Sequence, residues 1–441
     1  MFKAVRQAWK SGDLKKKLLF TILILIVFRI GSIIPVPFLD TEALRGFMGT
    51  GAGGGAILAY FDTLSGGAFA QATLFAMSVQ PYINSQIIMQ LLTVSLPYLE
   101  SLQREGEEGQ KKINAITRIV TIFLGIMQGF AYFSFLKSRG HYGIPIIKYS
   151  SGVEGLFVMI VIIAVFTAGT ALMMWLGEQI NSKGVGNGVS VLMFAGIISR
   201  MPTLLAQVGL FIYQAVKFPD IYWKYFIFVP LFILIFLGMM WLIVFMNDAE
   251  RRIPIQYAKR VIGRRLFDKQ ASHLPLKIGL AGVMPVIFAS SVLSLPSMIN
   301  LFVSPSGWYK IVLDALSVNG WLYTVINFAL ILMFAYFYVS ISYNPIEIAN
   351  NLRQSGGAIP GIRPGRATTD YLSKVLSYVT LTGALFLAFI AIFPIFFSSV
   401  SNLGGLSLSG TSIVILVGTA LETVKMIESQ TMMRQHKGFL D

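Results

Sequence analysis

Cysteine is absent from the 441-residue chain, and histidine occurs only three times. Disulfides, thiol nucleophiles and thiolate-held metal centres are thereby excluded. Charge is scarce: Asp, Glu, Lys and Arg together make up 12% of the residues, with 20 acids against 35 Lys and Arg. Neither a phosphate-binding P-loop nor a His-Glu-x-x-His zinc motif occurs. The many serines have no credible paired base. An ATPase, a metalloprotease and a haem protein fit poorly; nothing requires a cofactor or a metal, and the chain reads as no enzyme.

What is abundant is apolar. Hydrophobic residues reach 55%, and the mean hydropathy is +0.71. About 20 consecutive apolar residues cross a bilayer as a helix. Ten such segments are expected: 18–34, 73–96, 116–136, 156–176, 189–209, 225–245, 278–299, 321–341, 375–397 and 412–427. They lack the period-two alternation of barrel strands, so the fold class is an all-α polytopic membrane protein. The basic N-terminus leads into the first segment without a small-residue cleavage site, so no cleavable signal peptide is expected. An even span count puts both termini on one side of the membrane.

The basic residues choose that side. Lys3, Arg6, Lys10, Lys15, Lys16 and Lys17 precede the first span, and Arg251, Arg252, Lys259, Arg260, Arg264, Arg265, Lys269 and Lys277 lie between spans six and seven. Arg353, Arg363, Arg366 and Lys374 lie between eight and nine, whereas the opposite loops hold few cations. The positive-inside rule makes both termini cytoplasmic. The excess, a formal net charge of +15, also suits an anionic partner, although topology control alone explains part of it. Within the second cytoplasmic group, "GGAIPGIRPGRATT" (356–369) combines glycine, proline and arginine and carries no acid. Such a stretch suits a stiffened, basic loop.

Inside the spans, charge is nearly missing; only Arg29 sits well within one. No chain of buried acids offers a proton or sodium path. That weighs against the alternative reading, a secondary transporter of a small solute. In span two, Gln86, Gln90 and Thr93 fall at i, i+4 and i+7, on one helix face, with Pro81 expected to loosen the turn before it. Ordinary interhelical hydrogen bonding explains such residues at least as well as a special role. Span seven carries Pro285, Pro296, Ser290, Ser291 and Ser294, a pattern for a twice-interrupted, closely packed helix. In span five, Arg200 and Pro202 read as an interruption. Between spans one and two, a glycine-rich run precedes a short apolar helix, about 56–64, stopped at Ser65-Gly66-Gly67. It is too short to span. A re-entrant element of this kind needs a cavity to enter.

Six motifs stand in order between these spans: "LSGGA" (64–68), "QPYINSQIIMQLL" (80–92), "GVGNGVS" (184–190), "RRIPIQYAKR" (251–260), "HLPLKIGLAGVMPVIFASS" (273–291) and "PGIRPG" (360–365). With them the whole chain resembles the SecY/Sec61-alpha family of protein-conducting channels. The resemblance implies two pseudo-symmetric five-helix halves, an inverted repeat around an hourglass pore, with divisions at 1–17, 18–210, 211–427 and 428–441. Large cytoplasmic loops would occupy 247–277 and 344–374. It implies a pore ring of Val79, Ile83, Met193, Ile197, Ile287 and Ile415. It implies a plug at about 57–69, including Ile57, Leu58, Tyr60, Phe61, Leu64 and Phe69. A lateral gate between spans two and seven would use Gln86, Gln90, Thr93, Ser290, Ser291, Ser294 and Asn300.

The resemblance further implies passage of unfolded secretory polypeptides across, and sideways release of hydrophobic helices into, a bacterial cytoplasmic membrane. Expected partners are the small subunits SecE and SecG, the ATPase SecA, signal sequences, nascent polypeptides and membrane lipids. A ribosome would meet the basic loops through rRNA phosphates. Arg251, Arg252, Lys259, Arg260, Arg264, Arg265, Arg363 and Arg366 are the residues expected to dock the motor or the ribosome.

Overall fold

The computed structural model describes residues 9, 11–44, 62–137, 140–141, 144–147, 149, 152–257, 261–262, 265–266, 272–299, 315, 320–401 and 410–437. The expected spans are helical. In order they are α1 (Gly12–Gly31), α2 (Gln80–Ser95), α4 (Glu107–Lys137), α5 (Gly152–Lys183), α6 (Gly188–Lys217), α7 (Pro219–Asp248), α8 (Met284–Ile299), α9 (Trp321–Ser342), α11 (Arg366–Ser401) and α12 (Gly410–Lys437). Two short helices, α3 (Pro97–Arg104) and α10 (Pro345–Gln354), lie between spans. Among the described residues, seven helices are long and apolar enough to cross a membrane on those grounds alone. Large apolar side chains such as Leu23, Leu234 and Trp241 point outward, as lipid-facing residues do.

Spans two and seven depart from the expected bounds. Each is a helix of 16 residues, about 24 Å long against a hydrocarbon core of about 30 Å. Residues 73–79 and 278–283, assigned to these spans by hydropathy, form turns instead. The prolines give the reason. Pro81 and Pro285 each occupy the second helical position, where a missing N–H costs nothing and the fixed φ starts a helix. They therefore begin these helices rather than loosening them. Pro296 alone lies inside α8. Ser78 at φ 52° and Gly282 at φ 59° turn the chain just ahead of each helix. The preceding backbone is buried by protein: Phe75, Ala76, Met77, Ser78 and Val79 are all buried. Non-helical backbone at membrane depth survives only under such cover or beside a water-filled cavity.

Two other expectations need adjusting. Span one stops at Gly31, where a Cβ would lie 2.1 Å from the Phe75 ring, and span five is not broken. Although Pro202 lies inside it, α6 continues unbroken for 30 residues to Lys217.

The long connections on one side of the bundle are ordered as a sheet. β3 (Glu250–Tyr257) pairs antiparallel with β6 (Ser272–Lys277) on one edge and with β7 (Gly357–Ala358) on the other. Short hairpins β1 (Gly140–His141) with β2 (Ile144–Pro145), and β4 (Val261–Ile262) with β5 (Arg265–Leu266), complete the described strands. Ile253, Ile255 and Leu276 from the sheet bury against Ala349, Leu352, Ile359, Leu372 and Leu376. Alternation along β3 gives Ile253 and Ile255 one face and Arg252 and Gln256 the other.

Candidate functional site

The six residues expected in the pore ring all lie in the apolar interior. Val79 ends the turn before α2, and Ile83 lies in the first turn of that helix. Met193 and Ile197 are one turn apart on α6, Ile287 lies in the first turn of α8, and Ile415 lies in the second turn of α12. All six are at most 3% exposed and belong to one continuous apolar cluster. Four spans thus converge, and none of the six side chains is polar.

Of the expected plug, Ile57, Leu58, Tyr60 and Phe61 lie outside the described residues. Leu64 joins the same cluster as the six ring residues, and Phe69 joins a second cluster with Tyr132 and Phe166. A helical turn at 62–64 ends at Ser65, as the glycines there require. Gly66 adopts φ 69°, and a Cβ on it would lie 2.5 Å from Ser199 Oγ. Neither the backbone angle nor the space admits a side chain.

Polar bonds then fix this segment. Arg29 Nη1 donates to the Gly66 carbonyl (3.2 Å), and Ser199 Oγ lies 3.2 Å from the same oxygen. Ser78 Oγ donates to the Leu64 carbonyl (3.3 Å), and the Tyr132 hydroxyl donates to that of Phe69 (2.6 Å). Arg200 pairs with the buried Asp62 carboxylate. Sequence reasoning saw Arg29 as a lone charge and Arg200 as an interruption, and it missed Asp62, Ser199 and Tyr132. A solitary acid in an apolar stretch was the available signal; its partner lies 138 residues away.

The gate residues are arranged differently from expectation. Gln86 is half-buried, Gln90 is exposed, and Thr93 Oγ1 returns to the Met89 carbonyl (2.6 Å). On α8, Ser290 and Ser294 donate to carbonyls of their own helix, Val286 (2.9 Å) and Ser291 (2.7 Å). Asn300 lies outside the described residues. The hydrogen bond that does join the two helices runs from Gln80 Nε2 to Ser291 Oγ at 3.3 Å, and it is buried. Ser291 was anticipated; Gln80 was not. Each helix packs more extensively within its own half, α2 on α4 and α8 on α9, than on the other. The Ser85 hydroxyl adds a bond from α2 to the Thr117 carbonyl of α4 (2.7 Å).

Of the cations expected to dock a partner, Arg251 and Arg252 are exposed on β3, with Arg252 Nε held by Glu250 at 2.7 Å. Arg265 lies in β5, while Lys259, Arg260 and Arg264 lie outside the described residues. Arg363 and Arg366 are exposed, the latter as the first residue of α11. Between them and the sheet, Ile359 is buried and Gly361 turns at φ 80°; from within α11, Thr368 Oγ1 donates to the Arg363 carbonyl (2.9 Å). The loop is stiff because it is built onto a strand and a core residue, beyond what its prolines impose.

Known proteins are similar to the chain over most of its length. The family model SecY matches residues 73–424. The protein translocase subunit SecY of Streptomyces galbus is 41% identical, with all of both chains covered. A solved protein-conducting channel superposes with a TM-score of 0.65 at 17% identity, over 94% of this chain and 91% of that one. A second solved structure, of a SecY protein whose plug domain is described as stabilising the closed state and maintaining the membrane seal, gives 0.62 at 18% identity over the same shares.

Proposed function

From the premise that the chain belongs to the SecY family, we propose how its own residues divide the work of a protein-conducting channel. The chain is a multi-pass membrane protein and a translocase subunit, and it provides the path for translocated polypeptides. Family membership selects this function over solute transport.

Val79, Ile83, Met193, Ile197, Ile287 and Ile415 form the resting seal. The observation that carries this is their convergence from four spans into one buried apolar cluster that also holds Leu64. An apolar constriction excludes ions by dewetting. It makes no strong bond to a passing chain, so sequence matters little to sliding. Met193 adds a deformable side chain to the ring. Residues 57–69 are the plug; the division between the halves expected at 210/211 falls inside α6, and Phe218, between α6 and α7, suits it better.

The lateral gate lies between α2 and α8. A signal sequence, itself an apolar helix, replaces one apolar surface by another when it wedges there, and it shifts the gate by its preference for the open form. Gln86, Gln90, Thr93, Ser290, Ser294 and Asn300 line the path it takes, with Gln80 and Ser291 as the closing pair. The test uses Gln80→Cys with Ser291→Cys, joined by a short bis-thiol-reactive linker in a chain that has no other cysteine. Linking is expected to stop translocation of a secretory precursor, and cleaving the linker to restore it. Undiminished translocation at full linkage sinks the gate.

SecE and SecG pack on the bundle from the membrane. SecA and the ribosome dock on the basic sheet and loop, through Arg251, Arg252, Lys259, Arg260, Arg264, Arg265, Arg363 and Arg366. The setting is the bacterial cytoplasmic membrane with both termini in the cytoplasm, and chemistry is left to the motor. Neutralising Arg251 and Arg252 lowers the salt slope of ribosome binding by about 0.7–0.9 for each phosphate that goes without a cation; an unchanged slope removes them from the interface.

A further inference from the structure

The segment 62–70 carries a charge arrangement that sealing by apolar surfaces does not use. Asp62 is 3% exposed, a rare setting for a carboxylate unless it is paired. Its two carboxylate oxygens have separate tasks: Oδ1 accepts the Ala70 N–H at 2.8 Å, and Oδ2 meets Arg200. Its backbone carbonyl accepts the Gly67 N–H at 2.8 Å. The Arg200 side chain lies across Gly67, whose φ of 89° favours glycine. One residue thus closes the turn upon itself and ties the closed turn to α6. Arg29 supplies a second cation from α1, on the Gly66 carbonyl.

These partners all come from the first half of the chain. Separating α2 from α8 breaks the Gln80–Ser291 bond and leaves the Asp62–Arg200 pair untouched. Parting of the gate and departure of the plug therefore break different bonds.

We propose that Asp62 and Arg200 form a latch that holds the plug on α6, so that plug release is a separate step with its own threshold, set by this ion pair and not by the gate. The proposal rests on the reading of 57–69 as the plug. Arg200 is a positioning residue: it acts on the seal through Asp62 and touches no transported chain in the closed form. Breaking a buried pair by removing one partner is far more disruptive than its net contribution suggests, because a charge is left without a partner.

The experiment measures resting ion leak in proteoliposomes containing the full chain with its small subunits. Asp62→Asn keeps the shape and the acceptor for Ala70 while removing the ion pair. Arg200→Gln removes the other partner, and Arg200→Lys keeps the charge. Each neutral variant is expected to raise the leak by about tenfold or more. The double variant should leak no more than either single one, because both remove the same interaction. Arg200→Lys should stay near the parent, and precursor transport should persist throughout. Parent-level leak in both neutral variants overturns the latch, as does a leak that multiplies in the double variant. Loss of cooperative unfolding in Asp62→Asn assigns the pair to folding and also overturns it. A chain deleted for 62–70 separates the two ideas. If the deletion leaks and the single variants do not, the latch alone fails; if the deletion stays tight, the plug reading fails with it.

Discussion

The plug and the lateral gate are neighbours held by opposite means. The plug segment is tied by directional bonds, from Arg29, Ser78, Tyr132 and Arg200, all within one half. The gate joins the two halves mainly by apolar surface, with the buried bond from Gln80 to Ser291 crossing it. Hydrogen bonds and ion pairs specify one geometry and must be broken before anything moves. Apolar packing in a membrane is exchangeable, because lipid tails or an apolar helix satisfy the same surface. A seal benefits from the first kind, and a door for hydrophobic helices needs the second.

Three substitutions test that contrast, in falling order of expected effect. Gly196→Val places a Cβ where the Leu64 carbonyl lies 2.4 Å away, and that oxygen is backbone. We expect about 1–3 kcal/mol of destabilisation, as for overpacking elsewhere, together with a leaky resting state. Unfolding in detergent and conductance read the two effects, and a tight, fully stable variant would mean that α6 does not press on the plug. Tyr132→Phe keeps the ring packed 4.5 Å from Phe69 and 5.3 Å from Phe166 but loses the bond to the Phe69 carbonyl. A loss of about 0.5–1.5 kcal/mol is expected, seen as a lower thermal midpoint. Ser291→Ala removes the Gln80 bond across the gate. It should cost about 0.6 kcal/mol and open the gate about threefold more often, measured by the rate of thiol linking across α2 and α8, with resting leak unchanged. If Ser291→Ala outweighs Tyr132→Phe, the contrast is wrong.

The spans were legible in the sequence because hydropathy is a local sum, readable without knowing any neighbour. The six ring candidates were read through the order of motifs, and all six lie buried in one large apolar cluster. The starts of spans two and seven were not, because hydropathy cannot tell a buried turn from a helix; Pro81 and Pro285 were visible, but their place at the first turn depended on where the helices began. Gln80 was passed over in favour of Gln86 and Gln90 because a shared helix face says nothing about which residue lies opposite Ser291. Asp62 and Arg200 belong to separate spans and loops, so their pairing exists only in the fold. For the same reason nothing in "GGAIPGIRPGRATT" announced that Gly357 and Ala358 pair with Tyr257 and Gln256.

That pairing has a mechanical consequence. β3 continues directly from α7, β6 leads toward α8, β7 follows α10, and α11 begins eight residues after β7. Four spans of the second half are thus spliced together outside the membrane by a single three-stranded handle. A protein that grips Arg363 and pulls does not tug on a loose thread. Its load would divide among the attachments of those four spans.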